Sequence, residues 1–157
     1  LERSLMEHCL AQEKQFTLTQ FTSTDAYAIG SWIAQKAMRG NLPIVIDIHA
    51  YGKTLFHFAH DLASVDNENW ARRKRNTVMH FHHSSKYFYL KVNGDQDLIE
   101  TKYGLSRTDY ATIHGSFPIL LIHGGVVGAI TVSGLKPEDD HDLVLEALSA
   151  HTGITKV

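Results

Sequence analysis

The sequence predicts an α+β fold, with a five-stranded, mainly antiparallel sheet flanked by helices. Two observations carry most of this. Residues 42–60 and 117–134 each fold back on themselves around a glycine-containing turn, as hairpins do. The second hairpin is apolar on both faces, so it must be covered on both sides and belongs in the middle of its sheet. Around the hairpins run segments with helical apolar spacing, which supply the covering layers.

In chain order, Leu1, Leu5 and Leu10 predict an N-terminal helix over 1–15 at the periphery, and the alternation in QFTLTQF (15–21) predicts the first strand. Ser23 or Thr24 caps the next helix, Ala26, Ile29, Ile33 and Ala37 form its apolar stripe, and Gly40 ends it in the left-handed conformation. In the first hairpin, a two-residue turn at Tyr51-Gly52 sets Asp47 opposite Phe56. A three-residue loop, 50–52, instead gathers Ile44, Ile46 and Ile48 with Phe56 and Phe58, and leaves Val45, Asp47, His49, Leu55 and His57 on the other face. Because one residue of slip flips every side chain, the three-residue loop is the expected register. The second hairpin turns tightly at Gly124-Gly125, with Ile119, Leu121, Ile130 and Val132 on one face. The last helix opens at Pro137, with Glu138, Asp139 and Asp140 in its first turn and Leu143, Val144, Ala147 and Leu148 as its buried stripe.

Composition narrows the function classes. The 157 residues suit one domain, 1–157, and 43% hydrophobic content is enough for a real core. A formal net charge of −2 is not that of a nucleic-acid coat. The single cysteine, Cys9, rules out an intrachain disulfide and fits a reducing, cytoplasmic setting. The longest apolar run is broken by His123-Gly124-Gly125 and falls short of the roughly 20 residues a membrane helix needs, so no membrane association is expected. The chain opens LERSLMEHCL without an initiator methionine, so a preceding segment is expected to be missing.

The stretch NWARRKRNTVMHFHHSS (69–85) holds four consecutive cations followed by three of the chain's eleven histidines. Asp66 or Asn67 caps a helix here that runs to about His83. At 100° per residue Trp70, Lys74, Thr77 and Phe81 share one side, flanked by Val78 and bordered by Arg73 and His80. Arg72, Asn76 and His83 lie nearly opposite, and Arg75 points elsewhere again. Cations splayed in this way do not track a phosphate backbone, so nucleic acid is not an expected partner; solvation, or acidic residues on a neighbouring subunit, accounts for them. HFHH alone makes no metal site, since His82 faces away from His80 and His83 and no cysteine or HExxH pattern assists. Arg73, Lys74 and Thr77 border the core, where a cation needs a partner or a ligand anion. Asp47 sits between isoleucines mid-strand, where pairing with a cation such as Lys74 weighs against an acid–base couple with His57. GG-x-x-G here is no phosphate loop, and Ser116, Thr131 and Ser133 lack a nucleophile elbow, so no catalytic set is identified.

Three ordered motifs resemble one family. FPILLIHGG followed by GVVGAITVSGLKPEDDHDLV resembles the closing signature of the GlcG/HbpS-like, heme-degrading-domain family. The 69–85 stretch resembles its K-A-x-T-A helix through Lys74, Thr77 and Phe81, and VIDIHAYGKTLF resembles its V-V-D-x-x-G-x-L hairpin through Asp47 and Gly52. The likeness spans about residues 16–150 and is strongest to the uncharacterised protein family 0303 branch, which carries the same R-R-K-R-N-T-V run. Arg75 and Asn76 replace small residues around the threonine, and Thr131 replaces a glycine. The resemblance implies a profilin-like fold, homo-oligomers and a small-molecule ligand, heme among the candidates. With Arg73 or Lys74 set for heme propionates and His80 for the iron, the expected ligand-binding set is Asp47, Arg73, Lys74, Thr77 and His80. Two other readings stand beside it: an assembly or adaptor module whose basic helix makes protein–protein contacts, and an enzyme that turns the ligand over with a reductant.

Overall fold

A computed structural model describes residues 2–157. Its sheet has four strands in the order β2-β1-β4-β3, every neighbouring pair antiparallel: β1 (Val45–Ala50), β2 (Lys53–Ala59), β3 (Ser116–Leu121) and β4 (Gly125–Ser133). α2 (Ser23–Gly40) and α6 (Pro137–Thr152) pack on one face, and α3 (Val65–Phe81) packs on the other. The architecture is therefore α+β, with one strand fewer than expected, and of the second hairpin only β4 is central while β3 lies at the edge. Residues 15–21 do not form a strand. Only Leu18 pairs, in a single parallel bridge to Leu121, while Phe16 and Phe21 turn into the core. The alternation that resembles a strand here is two phenylalanine anchors on either side of one edge bridge.

α1 (Glu2–Gln15) lies across the β3 edge. Leu5 and Leu10 are exposed, and Leu1 lies outside the described residues; the buried side chains of α1 are Cys9, Gln12 and Glu13. Polar pairing fixes this face. Gln12 Oε1 meets His141 Nε2 of α6 at 2.9 Å, and Glu13 meets His83 Nδ1 at 2.8 Å and accepts from the Ser84 amide at 3.2 Å.

The apolar stripes of α2 and α6 read correctly: Ala26, Ile29, Ile33, Ala37 and Val144 are fully buried against Ile46, Ile48, Ile130 and Val132. The caps differ in detail. Thr22 caps α2 in a capping box with Asp25, and Asn41, not Gly40, takes the left-handed conformation that ends it. The α3 cap is Ser64, boxed with Asn67, and His82 closes the helix at φ 65°.

The β1–β2 hairpin reaches the expected face sorting by another route. Its turn is the two-residue one, with both Tyr51 and Gly52 at positive φ, and Leu55 bulges out of register. The bulge adds the one-residue offset that the turn does not supply, so Ile48 faces Phe56, Ile46 faces Phe58 and Asp47 faces His57. The β3–β4 turn is longer than expected, with residues 122–124 between the paired Leu121 and Gly125, and Val127 is the bulged residue. Two short helices, α4 (Ser85–Lys91) and α5 (Asp97–Thr101), were not expected. They enclose a second small core in which Phe81 stacks on Phe88 at 4.2 Å and meets Tyr103 edge-on at 4.9 Å.

Candidate functional site

Three of the four cations of the α3 basic run reach one loop. Residues 102–115 lack a sheet or helix ladder, so their carbonyls need donors from elsewhere. Arg73 donates to Arg107 O and to Tyr110 O (3.3 Å), Arg72 to Thr108 O (2.8 Å), and Asn76 to Asp109 O (2.8 Å). Thr77 Oγ1 donates to Ala111 O at 2.8 Å and accepts from the Ala111 amide at 3.1 Å. Lys74 Nζ donates to His114 O at 3.0 Å, to Val132 O at 2.7 Å and to Asp140 Oδ2 at 3.2 Å. Helical spacing lets one helix serve successive carbonyls because the loop wraps round it, covering even the side that periodicity assigned to solvent. Gly115 completes the clasp: it sits at φ 131°, and a Cβ there would collide with Lys74 Nζ and Val132 O.

Thr77→Val keeps the shape of this contact and removes its hydroxyl, leaving the buried Ala111 amide and carbonyl without partners. The expected loss is about 1–3 kcal/mol in urea unfolding, against a smaller loss for Asn76→Ala, whose bond is solvent-exposed.

What the clasp delivers is His114. This ring is 4% exposed and stands in the wall shared by two hollows. One, of about 310 Å³, is lined by Trp70, Lys74, Ile113, Leu135 and Pro137 among others. The second, of about 470 Å³, runs past Tyr89, Ile113, Lys136 and Pro137. Tyr89 packs its ring 4.7 Å from that of His114, and Arg73 stacks on Trp70 at 4.2 Å. His114 Nε2 lies 3.4 Å from Glu138 Oε1, while its buried Nδ1 has no partner among the described residues. Burial, reinforced by Lys86 and Lys74 and opposed by Glu138, holds the imidazole pKa below its ordinary value. A buried imidazole with one unbonded nitrogen, between hollows of mixed apolar and charged lining, has the chemistry of a metal ligand or of a hydrogen-bonding partner.

The other side of α3 holds Asp47. Its Oδ2 accepts from Arg75 Nη1 at 3.0 Å, and its Oδ1 lies 3.4 Å from His57 Nδ1. His57 Nε2 meets Glu68 at 2.8 Å. Although burial opposes the charged imidazole, the Glu68 and Asp47 carboxylates raise the His57 pKa above its ordinary value. Asp47 therefore does pair with a cation, but with Arg75 in place of Lys74.

The five sequence-derived candidates do not converge. Lys74 lines the first hollow, with its ammonium consumed by the three oxygens already named. Arg73 reaches the same region through its stack on Trp70, and Thr77 is buried behind the loop. Asp47 belongs to the opposite cleft. His80 is exposed, edge-on to Phe81 at 4.7 Å and to Tyr110 at 5.8 Å, and lines neither hollow. His114 escaped the sequence reading because nothing near it repeats; its one local signal is Gly115. Among the described residues no three His, Cys, Asp or Glu side chains gather as a metal site, and no helix is long and apolar enough to cross a membrane.

A family model described as haem degrading protein HbpS-like matches residues 21–149. The chain belongs to the HbpS-like family. It is 41% identical over 143 residues to a UPF0303 protein of Paraburkholderia phytofirmans, covering 91% of this chain and 87% of that one. This HbpS-like chain also superimposes on the crystal structure of Ybr137w with a TM-score of 0.84 and 31% identity, over 94% of this chain and 87% of that one. The heme complex of PduOC shares the fold, with a TM-score of 0.63 and 16% identity over 87% of this chain and 97% of that one. The bulky replacements in the family motifs have structural partners here: Arg75 meets Asp47, Asn76 holds the loop, and Thr131 Oγ1 bonds Ser116 Oγ at 2.8 Å.

Proposed function

We propose that the protein is a cytoplasmic small-molecule-binding domain of the heme class, working as a homo-oligomer, with its ligand in the hollows that share His114. The observation that carries this reading is the buried His114 ring, whose Nδ1 has no partner among the described residues, between Trp70, Tyr89, Ile113 and Pro137; family membership and the heme complex of PduOC support it. The donor set fits heme. A neutral imidazole could hold a heme iron, the Tyr89, Ile113 and Pro137 part of the wall would suit a porphyrin, and Lys136 would suit a propionate. Bound heme would supply a redox-active iron. His114 would hold the group, Tyr89 and Trp70 would orient it and exclude water, and Lys74 with Thr77 would act indirectly by fixing the loop that carries His114.

The adaptor reading loses its main support, since Arg72, Arg73, Lys74 and Asn76 are engaged by the chain's own loop. Assembly into oligomers keeps other surfaces, notably exposed Leu62 and Val65 and the β2 edge, which pairs on one side only. Titration of tag-free protein with hemin, followed at the Soret band, is expected to give a saturable shift at stoichiometric amounts. A diffuse, non-saturating change would overturn the assignment. Light scattering of the same sample is expected to give a mass several times that of the 17.6 kDa chain.

A further inference from the structure

The heme reading leaves a third cavity unused. A cleft of about 470 Å³ opens between the β1–β2 hairpin and the first half of α3, lined by Asp47, Thr54, His57, Glu68, Arg72 and Arg75 among others. Polar and charged side chains predominate among its lining residues. At its floor the Asp47 side chain is 6% exposed and binds one nitrogen of Arg75. A guanidinium has five N–H donors. Among the described residues the bond to Asp47 is the one made by the Arg75 side chain, which is 22% exposed in the cleft wall. Arg75 lines the cavity with its remaining donors unbonded among the described residues. Asp47 is held in turn by His57, and His57 by Glu68.

A guanidinium pinned from behind by a buried carboxylate keeps its planar edge oriented, and that edge matches the two oxygens of an oxyanion. Arg72, steadied by Asn69 and Asp109, places a second cation at the rim. The lining holds two arginines and His57 against the carboxylates of Asp47 and Glu68, and Asp109 answers Arg72 from outside it, so the donors open to an anion are those of Arg75 that Asp47 leaves free.

We propose that this cleft binds a compact oxyanion, the carboxylate or phosphate head of a small polar molecule, on the open edge of Arg75, with Asp47 as the residue that positions it. Each half of the reading rests on its own residues, so loss of heme binding would leave this site standing.

The test is a chemical-shift titration of the wild-type protein with inorganic phosphate and, separately, with succinate, at ionic strength held constant with sodium chloride. Saturable binding of at least one probe is expected, with shifts centred on residues 47, 57, 68, 72 and 75. Phosphate binding alone assigns a phosphate head, and succinate binding alone a carboxylate. Arg75→Gln is expected to weaken binding at least tenfold. Arg75→Lys, which keeps the charge beside Asp47 and the fold but lacks the fork, is expected to weaken it several-fold. Asp47→Asn should also weaken it several-fold by freeing the guanidinium. Failure of both probes to saturate, or unchanged affinity in Arg75→Lys, overturns the proposal.

Discussion

Replacing Lys74 with methionine is expected to cost about 3–5 kcal/mol of folding stability, the usual penalty for breaking a buried pair from one side. At this chain length that lowers the melting temperature by on the order of 10 °C. Lys74 is 2% exposed and Asp140 is 3% exposed. Burial pushes the Lys74 pKa down and the Asp140 pKa up, so desolvation opposes both charges, and the pair holds because each charge answers the other. Asp140 also accepts from the backbone amides of Gly134 and Leu135. Methionine fills most of the lysine volume but supplies no donor. It strands the Asp140 carboxylate together with His114 O and Val132 O. Lys74→Met combined with Asp140→Leu removes the stranded charge and is expected to recover much of the loss, which calorimetry of the three variants would reveal. A single variant within 1 kcal/mol of wild type would contradict the clasp as described.

Acid sensitivity well above the carboxylate range is the second large effect. His141 is buried beneath α1, and burial, with smaller contributions from nearby cations, pushes its pKa down to about 3. The unfolded chain takes up this proton near pH 6.5, and the folded chain does so only near pH 3. Between those limits the unfolded state binds more protons, so stability falls as pH falls, by up to about 1.4 kcal/mol per pH unit for this one group. His114 and His49, both shifted down chiefly by burial, steepen the slope. His57 is shifted up and works in the opposite direction: its contribution is present at low pH and lost as pH rises through its folded pKa. Urea unfolding at pH 7 and pH 5 is expected to show a loss of about 2 kcal/mol at the lower pH from His141 alone. His141→Gln, which cannot take up the proton, should flatten that dependence. An unchanged slope in the variant would place the acid response elsewhere.

The residues whose partners lie close in sequence, or whose pattern repeats, were legible in advance. The stripes of α2 and α6 repeat over several turns, and the hairpin faces were sorted by alternating isoleucines and phenylalanines, so even a misjudged turn left Asp47 and His57 together. Leu5 and Leu10 marked the N-terminal helix correctly but not its buried face, which holds Gln12 and Glu13, whose partners His141 and His83 lie far along the chain. Lys74 was placed at the core border correctly, but its partner depended on a rotation that sequence does not fix. Asp140 sits 66 residues on, and the next residue, Arg75, turned through 100°, meets Asp47 instead. Short helices such as α4 and α5 carry too few turns to show a period. The loop that presents His114 has none at all, because its backbone is satisfied by side chains of α3.

The proposed placement of the ligand at His114 is tested most directly by hemin titration of His114→Ala beside His80→Ala. Both variants are followed at the Soret band, with far-UV circular dichroism to verify the fold. The expected result is a blue-shifted or lost Soret response and at least tenfold weaker binding in His114→Ala, with His80→Ala indistinguishable from wild type. Wild-type binding by His114→Ala, or loss of binding in His80→Ala alone, would contradict the placement and return the iron contact to the exposed face of α3.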